Sequence, residues 1–382
     1  MESRITASRR TALGRMVLTV SALLLLCRSA VASCECGYSI ADPDSDAGGT
    51  LVFTDMFETD FTKLDNITLS RHWERMEFNV SAEDGRGKYG KRFMRDNIDT
   101  QISRFQEDGS DDAGLGLRVG GELTDEAVPA AELDSYRSDL HWGSYRAGMK
   151  TTGVNGTCAA FFWYFNDTQE IDIEFLSRES DSENDIYPLN LVLQTPESKQ
   201  AGYDAIGTGS YRRVNLTFDP SAAFHEYRFD YLGDRVLFYA DSKLLADMRG
   251  KGVPSVGGHL ILSHWSNGNG NWSGGPPEKD ALLTVNYVKA YFNSSDPDVL
   301  SEKVEACSSS NTTDTEDAVC AIPKVTADDA RTGGRFFGPM EDGEGGEGRA
   351  IDEEDGASSV VWGVPIALVT VVSVAMCLMG AV

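Results

Sequence analysis

The chain has 382 residues, 41% hydrophobic and 25% charged, with 60 acidic against 34 basic residues and a formal net charge of -26 at pH 7. That charge repels phosphate backbones and argues against nucleic acid as a partner. The sequence holds no P-loop, dinucleotide fingerprint, HExxH pair, basic recognition helix or tandem repeat, so neither cofactor nor metal is expected.

Arg9, Arg10 and Arg15 precede an apolar run at 16–26 and the small residues Ala30, Val31 and Ala32, the order of a signal peptide over 1–32. An extracellular chain fits the eight Asn-X-Ser/Thr sequons at Asn66, Asn79, Asn155, Asn166, Asn215, Asn271, Asn293 and Asn311. The sequon at Asn166 lies just before the acidic strand described below, where a glycan would shape the entrance. Of seven cysteines, Cys27 falls in the leader and Cys377 in the apolar tail. The remaining odd number, Cys34, Cys36, Cys158, Cys307 and Cys320, leaves one thiol free or bonded elsewhere. Cys307 and Cys320 bracket a Ser/Thr-rich loop and are the expected pair, while Cys34 and Cys36 are too close to bond each other and reach elsewhere.

Downstream of the leader, runs rich in aromatic and β-branched residues recur between Gly, Asn, Asp and Pro. They predict strands at 51–53, 92–94, 114–119, 143–150, 159–164, 170–175, 187–194, 211–218, 225–230, 235–240, 259–263 and 281–293. One short helix is expected at 127–133. With no sustained helical period elsewhere, the fold class is all-β, a two-sheet antiparallel β-sandwich over 34–295. The segment 227–241 is the clearest hairpin, turning near Gly233 with Tyr227, Phe229 and Tyr231 on one face.

The segment 161–175 reads Phe-Phe-Trp-Tyr-Phe-Asn-Asp-Thr-Gln-Glu-Ile-Asp-Ile-Glu-Phe. On a strand, alternation puts Glu170, Asp172 and Glu174 on one face and Ile171, Ile173 and Phe175 on the other. The apolar set belongs in the core, which forces three mutually repelling carboxylates onto the open face. A solvated acidic face or half a metal site would alternate in the same way, but calcium takes its ligands from a wrapping loop. Two carboxyls about 5 Å apart are the machinery of a retaining glycosidase, one attacking the anomeric carbon and the other protonating the leaving oxygen. Along an extended strand the Cα atoms of Glu170 and Glu174 are about 13 Å apart, so their side chains must lean together. Asp172 between them crowds negative charge and raises the pKa of whichever group stays protonated. Alternation alone does not assign the roles.

Glu170-Ile-Asp-Ile-Glu-Phe175, behind the aromatic run 161–165, resembles the signature of glycoside hydrolase family 16, the jelly-roll, concanavalin A-like β-glucanases and their transglycosylase relatives. The segment 264–277, His-Trp-Ser-Asn-Gly-Asn-Gly-Asn-Trp-Ser-Gly-Gly-Pro-Pro, is similar to a loop of fungal members, and 142–150 resembles the strand before the catalytic one. The likeness spans roughly 50–293. It implies Glu170 as nucleophile, Asp172 as assistant and Glu174 as acid/base. With no extra residue before the last glutamate, the motif resembles the regular-strand branch of lichenases and wall transglycosylases more than the bulged branch of laminarinases.

Sugar rings present apolar faces, so aromatic platforms are expected beside the carboxylates. Trp265 and Trp272, in a Gly/Asn-rich loop with little apolar company, are candidates, as is Trp163; Trp142 stays ambiguous between platform and packing. Asn190 and Gln194 share a strand parity that could bring them to the open face, with Leu191 and Leu193 inward, and His264 lies next to Trp265.

Residues 296–357 carry 17 acidic and 5 basic residues with abundant Ser, Thr and Gly, and read as a solvated stalk. The uncharged segment 360–382 is long enough to span a bilayer, but a signal for a lipid anchor is the favoured reading over a retained helix. The whole describes a monomeric, membrane-tethered enzyme at the cell surface that cleaves β-1,3(4)-glucan internally through a covalent glycosyl-enzyme. A transglycosylase using the same carboxylates is the alternative, and a lectin-like glucan binder a third reading, though a binder has no need of both glutamates.

Overall fold

Every predicted strand overlaps an observed one in the computed structural model, which describes residues 34–45, 48–105, 112–250, 252–309 and 318–338. The expected leader at 1–32, the tail at 360–382 and the sequon at Asn311 lie outside the described residues.

Alternating residues build two large, mainly antiparallel sheets. The front sheet runs Tyr211–Asn215, Pro188–Gln194, Gln169–Leu176, Cys158–Asn166, His259–Trp265, Ala127–Ser135, Gly90–Phe93 and Phe78–Val80, with Trp73–Arg75 also pairing on Ala127–Ser135. The back sheet runs Lys243–Arg249, Arg235–Ala240, His225–Tyr231, Leu140–Lys150, Ala281–Ser294, Leu115–Val119 and Ile98–Asp99, with Asp55–Asp60 also along Ala281–Ser294. Between them lies one core. Phe161, Trp163, Ile171, Ile173, Phe175, Leu191 and Leu193 enter it from the front; Tyr145, Ala147, Met149, Tyr227, Phe229 and Tyr231 enter from the back. Aromatic contacts cross the gap, such as Phe161 on Phe229 at 5.2 Å and Phe175 on Tyr227 at 4.8 Å between ring centroids.

Two expectations fail. The helix at 127–133 is the strand Ala127–Ser135, because Ala131 and Leu133 pack inward while Glu132 and Asp134 point to the front, a period of two rather than 3.6. Cys307 and Cys320 do not pair with each other. Cys34 bonds Cys320 and Cys36 bonds Cys307, while the buried Cys158 takes part in neither disulfide. Regular elements also continue past residue 295. Pro297–Ser309 is a helix, and Val319–Ala321 pairs in parallel with Gly37–Ala41.

Beyond that strand the chain crosses the outer face of the back sheet, tied down by buried charged groups. Lys289 Nζ donates to the carbonyls of Gly333 and Arg335 at 2.6 and 2.7 Å, Arg146 Nη1 donates to Pro323 O at 2.9 Å, and the amides of Phe337 and Gly338 donate to Glu58 Oε2 at 2.6 and 2.9 Å. The acidic composition of the segment does not reveal that Lys289, Arg146 and Glu58 of the sandwich hold its backbone, so it reads as stalk in sequence while its described part lies as a strap in structure.

Candidate active site

The register of the front sheet lays out the site residue by residue. Glu170 stands between Tyr164 and Gln194, Asp172 between Phe162 and Val192, and Glu174 between Ala160 and Asn190. Their sequence neighbours Ile171 and Ile173 are fully buried in the core, which holds the carboxylates to the front face. Asn190 and Gln194 lie on that same face, each already oriented. Tyr211 Oη donates to Asn190 Oδ1 at 2.6 Å, Asn190 Nδ2 donates to Glu179 Oε2 at 3.3 Å, and Ser198 Oγ donates to Gln194 Oε1 at 2.7 Å.

The carboxylates are deeply enclosed, with Glu170, Asp172 and Glu174 only 3, 4 and 1% exposed. Burial therefore pushes Glu170 well above the usual carboxylate range, reinforced by the charge of Asp172, by a hydrogen bond with it, and by Glu174. Asp172 is raised by burial to about 7, with its hydrogen bond to Glu170 opposing the rise. The two form one dyad that retains a proton into the neutral range. Glu174 accepts from the Cys158 thiol at 3.7 Å.

Other candidates stand differently. Trp163 is wholly inside the core, its Nε1 donating to Leu140 O at 2.8 Å, so it cannot meet a ligand on the front face. His264 also points between the sheets, where Nδ1 donates to Leu117 O at 2.8 Å and burial pushes its pKa down to about 4. Both residues fall on the inward parity of their strands. Trp265 and Trp272 are on the front side, but packed in an apolar cluster with Phe93, Cys158, Leu176 and Val192 rather than short of apolar company. Their Nε1 atoms have no hydrogen-bond partner. Trp142 is exposed and stacks on His141.

Two front-face acids escape the sequence reading. Glu132 and Asp134 alternate with the buried Ala131 and Leu133, a period that a strand assignment would have exposed. Burial raises both, Asp134 to about 8 with Glu74 adding to the rise; for Glu132 the charge of Asp134 adds and Lys91 opposes. Among the described residues no group of three or more His, Cys, Asp or Glu is placed to hold a metal ion.

The model of glycosyl hydrolases family 16 matches residues 103–289, the stretch that contains this row of carboxylates. This chain carries a family 16 glycosyl hydrolase domain. The domain is 29% identical over 162 residues to the beta-glucanase of Paenibacillus polymyxa and 30% over 168 residues to that of Paenibacillus macerans, covering 40 and 41% of this chain and 60 and 62% of those proteins. The chain thus spans about three fifths of the length of these curated relatives. Among solved structures, Bacillus licheniformis beta-glucanase aligns with a TM-score of 0.47 and 17% identity, over 62% of this chain and 97% of that one. Apo Crh5 transglycosylase aligns with a TM-score of 0.41 and 16% identity, over 62 and 84%.

Proposed function

We propose that this family 16 domain cleaves β-glucan by a retaining double displacement, with Glu170 as nucleophile and Glu174 as acid/base. The observation that carries the reading is the row Glu170, Asp172 and Glu174 on the front face of one strand whose alternate residues fill the core. In the first step a Glu170 carboxylate oxygen bonds to the anomeric carbon while the glycosidic C–O bond breaks and the leaving oxygen takes the proton of Glu174. In the second, water gives a proton to Glu174 as its oxygen displaces Glu170, restoring both carboxyls. Asp172, sharing a proton with Glu170, steadies the nucleophile before attack and the leaving carboxylate afterwards. Asn190 and Gln194, fixed by Tyr211 and Ser198, are positioned to meet sugar hydroxyls.

The resemblance to beta-glucanases supports a β-glucan substrate, and the uninterrupted Glu-Ile-Asp-Ile-Glu motif favours β-1,3(4)-glucan. A sugar hydroxyl in place of water in the second step would give transglycosylation from the same intermediate. We place the enzyme outside the cell, tethered through its C-terminal segment; the two disulfides support an oxidising compartment.

The test follows new reducing ends and product lengths when the protein meets mixed-linkage glucan and laminarin, with and without labelled acceptor oligosaccharides. Reducing ends rising with cleavage identify the hydrolase, and labelled longer products without that rise identify the transglycosylase. Glu170→Gln is expected to lose on the order of 10^3-fold or more in kcat while remaining folded. Binding without either product would leave a lectin, and an equally active Glu170→Gln protein would remove Glu170 from the mechanism.

A further inference from the structure

The loop at 81–89 leaves the front sheet beside Gly90–Phe93, and the loop at 195–210 leaves it beside Pro188–Gln194 on the far side. Four strands lie between, so at about 4.8 Å per strand these edges are roughly 24 Å apart along the sheet. The loops nevertheless meet. Arg86 Nη1 donates to Gly202 O at 2.7 Å, and its guanidinium carbon is 4.1 Å from the centre of the Tyr203 ring.

Both feet of this bridge are anchored. On one side Asn267 Nδ2 donates to Gly85 O at 2.6 Å and Asn269 Nδ2 donates to Arg86 O at 3.2 Å. Arg86 itself is held at φ +52, a conformation a non-glycine residue adopts at a cost. On the other side Tyr203 Oη donates to Asp167 Oδ2 at 2.9 Å, and Asp167 also accepts from Lys199 at 2.9 Å and from Tyr164 at 3.1 Å. Tyr164 is the cross-strand partner of Glu170. The bridge therefore springs from residues next to the nucleophile candidate and passes over the face that holds the carboxylates, which are 3, 4 and 1% exposed.

A groove open along its length receives an internal stretch of polysaccharide from the side, whereas a groove with an arch across it receives a chain only by its end. We propose that the Arg86–Tyr203 bridge makes this an end-entry site, in which a glucan chain threads beneath Arg86 to reach Glu170 and Glu174. The inference rests on the glucan-cleaving reading and replaces the internal attack expected from sequence.

Cyclic β-glucan, which has no ends, separates the alternatives when compared with linear oligosaccharides of the same linkages. The full chain is expected to cleave linear substrate at least about tenfold faster than cyclic and to release short products stepwise. Arg86→Ala and Tyr203→Ala, each checked for folding by its melting temperature, are each expected to raise the cyclic-to-linear rate ratio by about tenfold, the scale of losing a hydrogen bond to a charged group. Equal rates on both substrates in the unaltered protein, or an unchanged ratio in both variants, would overturn the proposal. Binding measured without turnover keeps the two readings apart. Glu170→Gln should bind linear but not cyclic glucan, and adding Arg86→Ala should admit the cyclic one. If no cleavage occurs but this binding pattern holds, the glycosidase reading fails and end entry stands; if cyclic and linear glucans bind alike, end entry fails.

Discussion

Burial of a carboxyl without a cation makes its proton part of the stability of the fold. Glu170 and Asp172 both have folded pKa values raised above their ordinary ones, so between roughly pH 4 and 7 the folded state holds protons that the unfolded chain releases. Their stabilising contribution is therefore complete at acidic pH and is lost as pH rises through the folded values. Asp172→Asn removes one of the carboxyls that must ionise in the dyad. Its melting temperature relative to the unaltered protein is expected to improve steadily from pH 5 to pH 8, as thermal melts across that range would record. Tryptophans divide by face in the same residue-level way. Trp163→Ala, emptying a fully buried core position, is expected to cost about 3–5 kcal/mol in denaturant unfolding. Trp265→Ala removes a front-side ring that lies 4.3 Å from Lys91 Nζ, and is expected to raise KM for glucan beyond what its loss of stability explains.

At the scale of elements, the strand Gln169–Leu176 was legible because its polar and aliphatic residues alternate without interruption, and the hairpin around Gly233 because apolar alternation flanks a Gly-Asp turn. Ala127–Ser135 was not legible as a strand. Its small and acidic residues, in the run Ala-Val-Pro-Ala-Ala-Glu-Leu-Asp, carry weak β-propensity, and pairing with His259–Trp265 overrides that preference. The C-terminal strap depends on two disulfides of sequence separation 286 and 271. Replacing Cys34 and Cys320 by serine is expected to cost roughly 2–5 kcal/mol, measurable as a lower denaturation midpoint. Reduction under native conditions should leave Cys158 unreactive to thiol reagents, since it is completely buried.

For the molecule as a whole, the folded unit extends past the sandwich to residue 338 among the described residues. A chain ending at 295 would uncover Lys289, Arg146, Glu58 and the edge of Gly37–Ala41 together, and leave Cys34 and Cys36 without partners. Such a truncation is expected to melt well below a chain that runs to 338, by a margin larger than either disulfide variant alone. Sequence by itself determined the all-β class, the core face of the carboxylate strand and the identity of its acids, because a period of two and the cost of burying charge act locally along the chain. Only the tertiary structure decided that Trp163 and His264 face inward, that Glu132 and Asp134 join the front face, which cysteines pair, and that Arg86 meets Tyr203 above the site. Those facts depend on which strands become neighbours and which loops meet across a sheet, and contacts between residues far apart in the chain leave no period within it.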